Sequence, residues 1–201
     1  MWCHPTALVE SDEIGEGTRI WAFAHVMRGA RIGLNCNIGD HVFIEEGVTI
    51  GDNVTVKNGV CIWTGVEIGN GVFIGPNAVF TNDLYPRSPR LPAAKDRYET
   101  GDWLKRTHIR EGTSIGANAT IIPNVVLGAY SMIGAGSVVT QDVPDFAMVV
   151  GVPARQRGWV CFCGYPLETR DAQTLYCPEC NSEVGAERFG NVIVEQSKGM
   201  K

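Results

Sequence analysis

An apolar residue recurs at every sixth position from Leu8 through Ile14, Ile20, Val26, Ile32, Ile38, Ile44, Ile50, Val56, Ile62, Ile68 and Ile74 to Phe80. A second row takes up the same beat at Ile109, Ile115, Ile121, Leu127, Ile133 and Val139. An α-helix needs a 3.6-residue period and a half-buried strand a period of two, so neither accounts for a period of six. Two further columns accompany the markers. Three residues after a marker stands Gly or Asn, as at Gly17, Gly29, Asn35, Gly47, Asn53, Gly71, Asn77, Asn118 and Gly136. These residues enter the left-handed backbone region with least strain, which places a corner in every hexad. Four residues after a marker stands something small or β-branched, as at Thr18, Ala24, Cys36, Val42, Val54, Ala119 and Ser137. A β-branched marker suits a pleated, buried strand. Strand and corner alternating at period six predict a parallel β-helix.

The segments "IGEGTR", "IGDNVT", "IGNGVF" and "IGANAT" resemble the hexapeptide repeat of left-handed β-helix acyltransferases, over residues 8–158. The resemblance implies three hexads per coil, so that residues eighteen apart stack in a triangular prism. Its winding is an exception to the right-handed crossover rule. Nineteen hexads then make about six coils, or about 30 Å of prism at the inter-strand spacing. The fold class expected is all-β: a left-handed parallel β-helix over residues 1–158, with an external loop at 81–108. A small four-cysteine zinc ribbon follows at 159–190, and a tail at 191–201.

The 201 residues carry a net charge of −5, which gives no global field favouring nucleic acid or an anionic membrane. No apolar run approaches a membrane span, and "MWCHPTALVE" lacks the basic and apolar regions of a signal peptide, so a cytoplasmic location is expected. Cys36 reads as an inward filler, while Cys3 and Cys61 need no disulfide. Cys161 and Cys163, then Cys177 and Cys180, form C-x-C and C-x-x-C pairs separated by thirteen residues. Two close pairs across a short loop suit a tetrahedral structural Zn2+ site. The first pair is one residue tighter than the usual knuckle. A segment this short buries too little core to fold without metal or crosslinks.

The beat breaks between Phe80 and Ile109, in a proline- and cation-rich stretch that must leave the prism as an external loop. Long loops without regular structure are commonly functional, and this one opens with Asn82, Asp83, Tyr85 and Arg87. Such a loop resembles the arm by which acyltransferases of this fold close an active site between subunits of a homotrimer. Several relatives that acylate hydroxyls carry a catalytic His at its start. Here "FTNDLYPR" has Asn82 near that place, and His108 is the first His after it. A hydroxyl needs a base to become a nucleophile, whereas a neutral amine already carries a reactive lone pair.

"FTNDLYPR" and "RIWAFAHVM" resemble N-acetyltransferases of nucleotide-linked 3-amino sugars. The function expected is therefore acetyl-CoA-dependent N-acetylation of a UDP- or dTDP-linked amino sugar. Asn82 would position the amine and Asp83 would accept from it or from a hydroxyl, though Asp83 also falls on the corner column. Tyr85, Arg87 and His25 are candidates for substrate binding. The segment from Ser114 to Trp159 resembles the CoA-binding end of the family. There Ala117, Ala135 and the turn Gly151-Val152-Pro153-Ala154 are short enough to let a pantetheine arm lie on backbone amides, and Arg155 and Arg157 would meet the CoA phosphates.

Two alternatives remain open: O-acetylation with His108 as base, and a scaffold whose zinc ribbon is a contact surface. Four histidines without a suitable neighbouring pair disfavour a zinc-dependent carbonic anhydrase. The scarcity of cations after Gly158 disfavours nucleic acid.

Overall fold

The computed structural model describes residues 1–171 and 173–185. The tail expected at 191–201, and the last residues of the expected ribbon, lie outside the described residues. Three parallel sheets form the faces of a prism. One face stacks Trp2–Cys3, Arg19–Ile20, Asn37–Ile38, Thr55–Val56, Phe73–Ile74, Ser114–Ile115, Met132–Ile133 and Ala147–Val150. A second face stacks Leu8–Val9, His25–Val26, Phe43–Ile44, Cys61–Ile62, Val79–Phe80, Thr120–Ile121 and Val138–Val139. The third stacks Arg31–Ile32, Thr49–Ile50, Val66–Ile68, Thr107–Ile109 and Val126–Leu127. These are called faces A, B and C. Pairs such as Ile20 with Ile38 and His25 with Phe43 confirm the eighteen-residue coil.

The hexad columns have the roles that their chemistry predicts. From Ile20 onward every marker is buried, and with the +4 column they form one continuous core. The corner column takes a left-handed conformation at Gly17, Gly29, Asn35, Gly47, Asn53, Gly71, Asn77, Asn118 and Gly136. It does so too at Phe23, His41 and Tyr130, where neither Gly nor Asn stands. Position in the coil therefore overrides residue preference there, at the cost of some strain. The residue after each marker is commonly Gly because coils stack tightly. A Cβ at Gly75 would lie 2.6 Å from the Ala117 nitrogen of the next coil.

The external loop leaves at Thr81 and rejoins at Thr107, and Ile68 pairs with Ile109 across it. Contrary to a wholly irregular loop, it contains a 3-10 turn at Pro92–Ala94 and a short helix at Lys95–Thr100, ended by Gly101 in the left-handed conformation.

At the far end, Arg155–Trp159 turns back antiparallel on Ala147–Val150. The chain then enters a three-stranded antiparallel sheet of Glu168–Thr169, Thr174–Tyr176 and Glu183–Gly185. Trp159, Cys161, Leu167, Leu175 and Cys177 join the prism core, so this appendage caps the open end of the solenoid.

Candidate active site

Asn82 leaves the prism at the edge between faces B and C. Its Nδ2 donates to the Thr64 carbonyl at 3.2 Å, and its own carbonyl accepts from the Lys105 amide at 3.0 Å. Because Thr64 offers an acceptor, the amide must present its nitrogen there, which turns Oδ1 outward as an acceptor. A half-buried acceptor with its donor side already engaged is equipped to receive an N–H.

Asp83 has a different environment. It does not take up the left-handed corner conformation, and instead bridges antiparallel to Leu104. Its Oδ1 accepts from the Tyr85 amide at 2.9 Å and from Arg97 Nη2. Its Oδ2 accepts from Tyr98 Oη at 2.8 Å and Arg97 Nη1 at 3.1 Å. Two donors on each oxygen occupy the ordinary capacity of a carboxylate. The Arg97 hydrogen bonds hold its pKa down at about 2. Asp83 is the hub of the loop, and its lone pairs are engaged within the protein. Arg97 also donates to the Tyr85 carbonyl at 2.8 Å, and Tyr98 Oη accepts from the Arg87 amide at 2.9 Å. The side chains of Tyr85 and Arg87 are therefore carried exposed on a braced backbone.

The sequence reading missed Arg97 and Tyr98. Their fourteen- and fifteen-residue separation from Asp83 lies inside an aperiodic loop, where no spacing rule applies.

His25 sits low on face B in the predicted column with Phe43, Cys61 and Val79. Its Nε2 lies 3.1 Å from Glu10 Oε2, and its ring is edge-on to Phe43 at 5.3 Å. The structure does not bring His25 and Asn82 together, since three coils separate Asn82's coil from that of His25, ~14 Å along the axis. His108 is on face C, where Nδ1 lies 3.1 Å from Glu67 Oε2, and Arg106 holds the other Glu67 oxygen at 2.9 Å. His108 and Glu67 line an open groove of about 500 Å³ with Thr49, Arg110 and Val126.

The edge between faces A and B is built in two halves. At its lower end the Ala22 amide donates to Asp40 Oδ1 at 3.0 Å, and the Asp40 amide to Asn58 Oδ1 at 3.2 Å. This side-chain ladder stops because the next residues in the column are Pro76, Ala117 and Ala135, which have no acceptor side chain. The amides of Ala117 and Ala135 find no protein acceptor among the described residues. Asp or Asn two residues after the marker was the unread signal: Asp40 and Asn58 make this ladder, and Asp52 and Asn70 make a second one at the edge between faces C and A. Above Ala135, Gly151 has a φ of 101° and its amide donates to Ser137 Oγ at 3.1 Å. The Val152–Pro153 bond is cis, and the Ala154 amide donates to the Val138 carbonyl at 2.7 Å. Gly151, Pro153 and Ala154 thus cap the same end of the edge as Ala135. Arg155 and Arg157 follow, both exposed, with Arg155 Nη1 donating to the Ala154 carbonyl at 2.9 Å.

The four sulfurs of Cys161, Cys163, Cys177 and Cys180 lie within 4.8 Å of one another, and two of the pairs are 3.5 Å apart. A Zn–S bond of ~2.3 Å in a tetrahedron requires S–S edges of about 3.8 Å, so the cluster fits. Ser182, through its hydroxyl and then its amide, draws the Cys180 thiol down to about 6, while, against the Tyr165 backbone bond, burial and the neighbouring sulfurs push Cys163 up to about 12. The donor set is all sulfur, which suits a closed structural site.

The family model for the bacterial transferase hexapeptide (six repeats) matches residues 13–46, 47–82 and 106–141, omitting the loop. The chain is 51% identical over 172 residues to dTDP-3-amino-3,6-dideoxy-alpha-D-galactopyranose 3-N-acetyltransferase of Aneurinibacillus thermoaerophilus, covering 86% of this chain and 85% of that one. It is 37% identical over 79 residues to galactoside O-acetyltransferase of Lactococcus lactis, covering 39% and 36%. Among solved structures, the acetyltransferase domain of PglB from Neisseria gonorrhoeae with acetyl coenzyme A aligns at TM-score 0.49 and 24% identity. That alignment covers 77% of this chain and 56% of the other, so the chain spans less than two thirds of that structure. The prism of six-residue repeats, the family model matching over half the chain and the relative similar over nearly its whole length agree: this chain belongs to the bacterial hexapeptide transferase family.

Proposed function

We propose that this protein transfers an acetyl group from acetyl-CoA to the amino group of a dTDP- or UDP-linked 3-amino sugar. The observation that carries the reading is 51% identity, across 86% of the chain, to a relative named as a 3-N-acetyltransferase of a dTDP-linked amino sugar. The neutral amine attacks the thioester carbonyl carbon, the C–S bond breaks, and the ammonium proton leaves with the CoA thiolate. Asn82 Oδ1 accepts an N–H of the amine, which aims the lone pair and stabilises the positive charge that develops on nitrogen. No protein base is required for this step. Asp83 acts through the loop, by fixing the backbone that carries Asn82, Tyr85 and Arg87. Tyr85 and Arg87 meet the sugar or its phosphates.

The free amides of Ala117 and Ala135 receive the pantetheine arm, with Gly151, Pro153 and Ala154 closing its upper end and Arg155 and Arg157 reaching the CoA phosphates. The chain works as a homotrimer in the cytoplasm. The outward Phe43 and Val79 of face B support an interface there, whereas Phe73 lies on face A. His25 belongs to that interface. One Zn2+ on Cys161, Cys163, Cys177 and Cys180 holds the capping appendage of residues 159–190, which follows the transferase domain of residues 1–158.

Incubation with acetyl-CoA and a panel of dTDP- and UDP-linked amino sugars, followed by CoA-thiol release and product mass, tests the reading. An N-acetylated sugar nucleotide is expected, and turnover confined to sugars that lack an amine would overturn it.

A second reading rests on the His108–Glu67 contact. A carboxylate on Nδ1 orients an imidazole so that Nε2 can take a hydroxyl proton. In that reading the acceptor is a hydroxyl and His108 is the base.

A further inference from the structure

Two of the five tryptophans lie exposed, side by side, at the amino-terminal end of the edge between faces A and B. Trp2 and Trp21 meet edge to face at 5.2 Å. With Arg19 they line an open hollow of about 330 Å³. Trp2, Arg19 and Asn37 stand in one outward column on successive strands of face A. Trp21 Nε1 donates to Asn37 Oδ1 at 2.9 Å, which fixes the indole plane and leaves the Asn37 amide nitrogen as a donor. The Arg19 guanidinium forms no ion pair or side-chain hydrogen bond among the described residues.

Each part of this cluster matches one part of a nucleotide. Exposed indoles are expensive in water and stack on planar rings. An unpaired guanidinium binds phosphate. An amide donor beside the indole meets a ring carbonyl. The hollow is also on the same prism edge as the free amides of Ala117 and Ala135. Three coils, ~14 Å along the axis, separate the coil of Trp21 from the coil that ends in Asn82. A sugar nucleotide whose base sits low on this edge runs along it toward the Ala117 and Ala135 amides, at the axial level of Asn82, which itself leaves the prism at the edge between faces B and C.

We propose that Trp2, Trp21, Arg19 and Asn37 form the binding site for the base and diphosphate of a nucleoside diphosphate, and so for the nucleotide half of the acceptor. The assignment to the acceptor rests on the amine-acetylation reading, while nucleotide binding itself does not.

Calorimetric titration of the full chain with dTDP, without acetyl-CoA, separates the two. Trp21→Ala and Arg19→Ala should each weaken dTDP binding by about 10- to 100-fold, with the far-ultraviolet dichroism unchanged. In turnover the same variants should raise KM for the sugar nucleotide by a similar factor, with kcat and KM for acetyl-CoA unchanged. Unchanged dTDP affinity in both variants, or no dTDP binding by the wild-type protein, overturns the site. If dTDP binding falls but the acetylated group proves to be a hydroxyl, the site stands and the amine reading fails.

Discussion

The two halves of the edge between faces A and B share one backbone geometry and differ in what meets their amides. In the lower half, Asp40 and Asn58 accept the N–H groups of the coil beneath and close the corner on itself. In the upper half, Pro76, Ala117 and Ala135 occupy the same column, and the Ala117 and Ala135 amides have no protein acceptor among the described residues. A corner closed on itself and a corner left open are thus distinguished by one side-chain carbonyl per coil. The difference shows that the hexad alone does not decide what a corner amide meets; the presence or interruption of the side-chain ladder does.

The largest perturbation of this contrast should come from the four-cysteine cap, which closes the upper half only. Metal analysis should find about one Zn per chain. Chelation should then speed amide exchange across Glu168–Gly185 by about 100-fold or more, and that at Val149–Gly151 by less. The amides of Ala22 and Asp40 should keep their protection. Equal loss throughout the prism would show that the halves are not separate units, and the absence of metal would remove the cap as a zinc site.

A reciprocal pair of substitutions exchanges the character of the two halves. Ala135→Asn installs the missing acceptor above the Ala117 amide, as Asn58 does above Asp40. It should raise KM for acetyl-CoA by about 10-fold and raise Tm by about 2 °C. Asn58→Ala should lower stability by about 1 kcal/mol and leave both KM values unchanged. Kinetic effects from Asn58→Ala with none from Ala135→Asn would reverse the assignment.

A smaller effect separates the loop from both halves of the edge. The folded Asp83 pKa of about 2 is below that of an unfolded carboxylate, so the bonds to Arg97 and Tyr98 stabilise the loop above pH ~4. That contribution is lost as pH falls from about 4 through 2, and Asp83→Asn should abolish this pH dependence. Limited proteolysis at Pro86–Thr100 in an acid-stable protease reads it directly. Identical acid profiles in wild type and variant would show that Asp83 does not hold the loop.

The prism was legible because its periodicity is an arithmetic consequence of the coil. A marker that must be buried every sixth residue leaves a trace that any eighteen-residue turn repeats, from Ile20 to Val139. The four cysteines were legible for the same kind of reason, since ligand spacing within tight turns is local in sequence. The Asp83–Arg97–Tyr98 lock was not legible. It is made by an aperiodic loop folding back on itself; Asp83 on the corner column does form a local turn, its side chain accepting the Tyr85 amide, but without the left-handed corner conformation. The paired amides of Ala117 and Ala135 were half legible. Their small side chains stood out, but the ladder they interrupt shows only when residues eighteen apart are set one above another.

The central claim is that Asn82 aligns an amine that needs no protein base, and paired rate profiles test it most directly. The kcat/KM of wild type, Asn82→Ala and His108→Ala should be measured against pH with the amino-sugar nucleotide. Asn82→Ala should fall by roughly 10- to 1000-fold while His108→Ala stays near wild type. The wild-type rate should climb with pH along the titration of the substrate amine. A silent Asn82→Ala, with turnover abolished in His108→Ala and a profile that follows an imidazole, would contradict the claim and assign the chemistry to the His108–Glu67 pair.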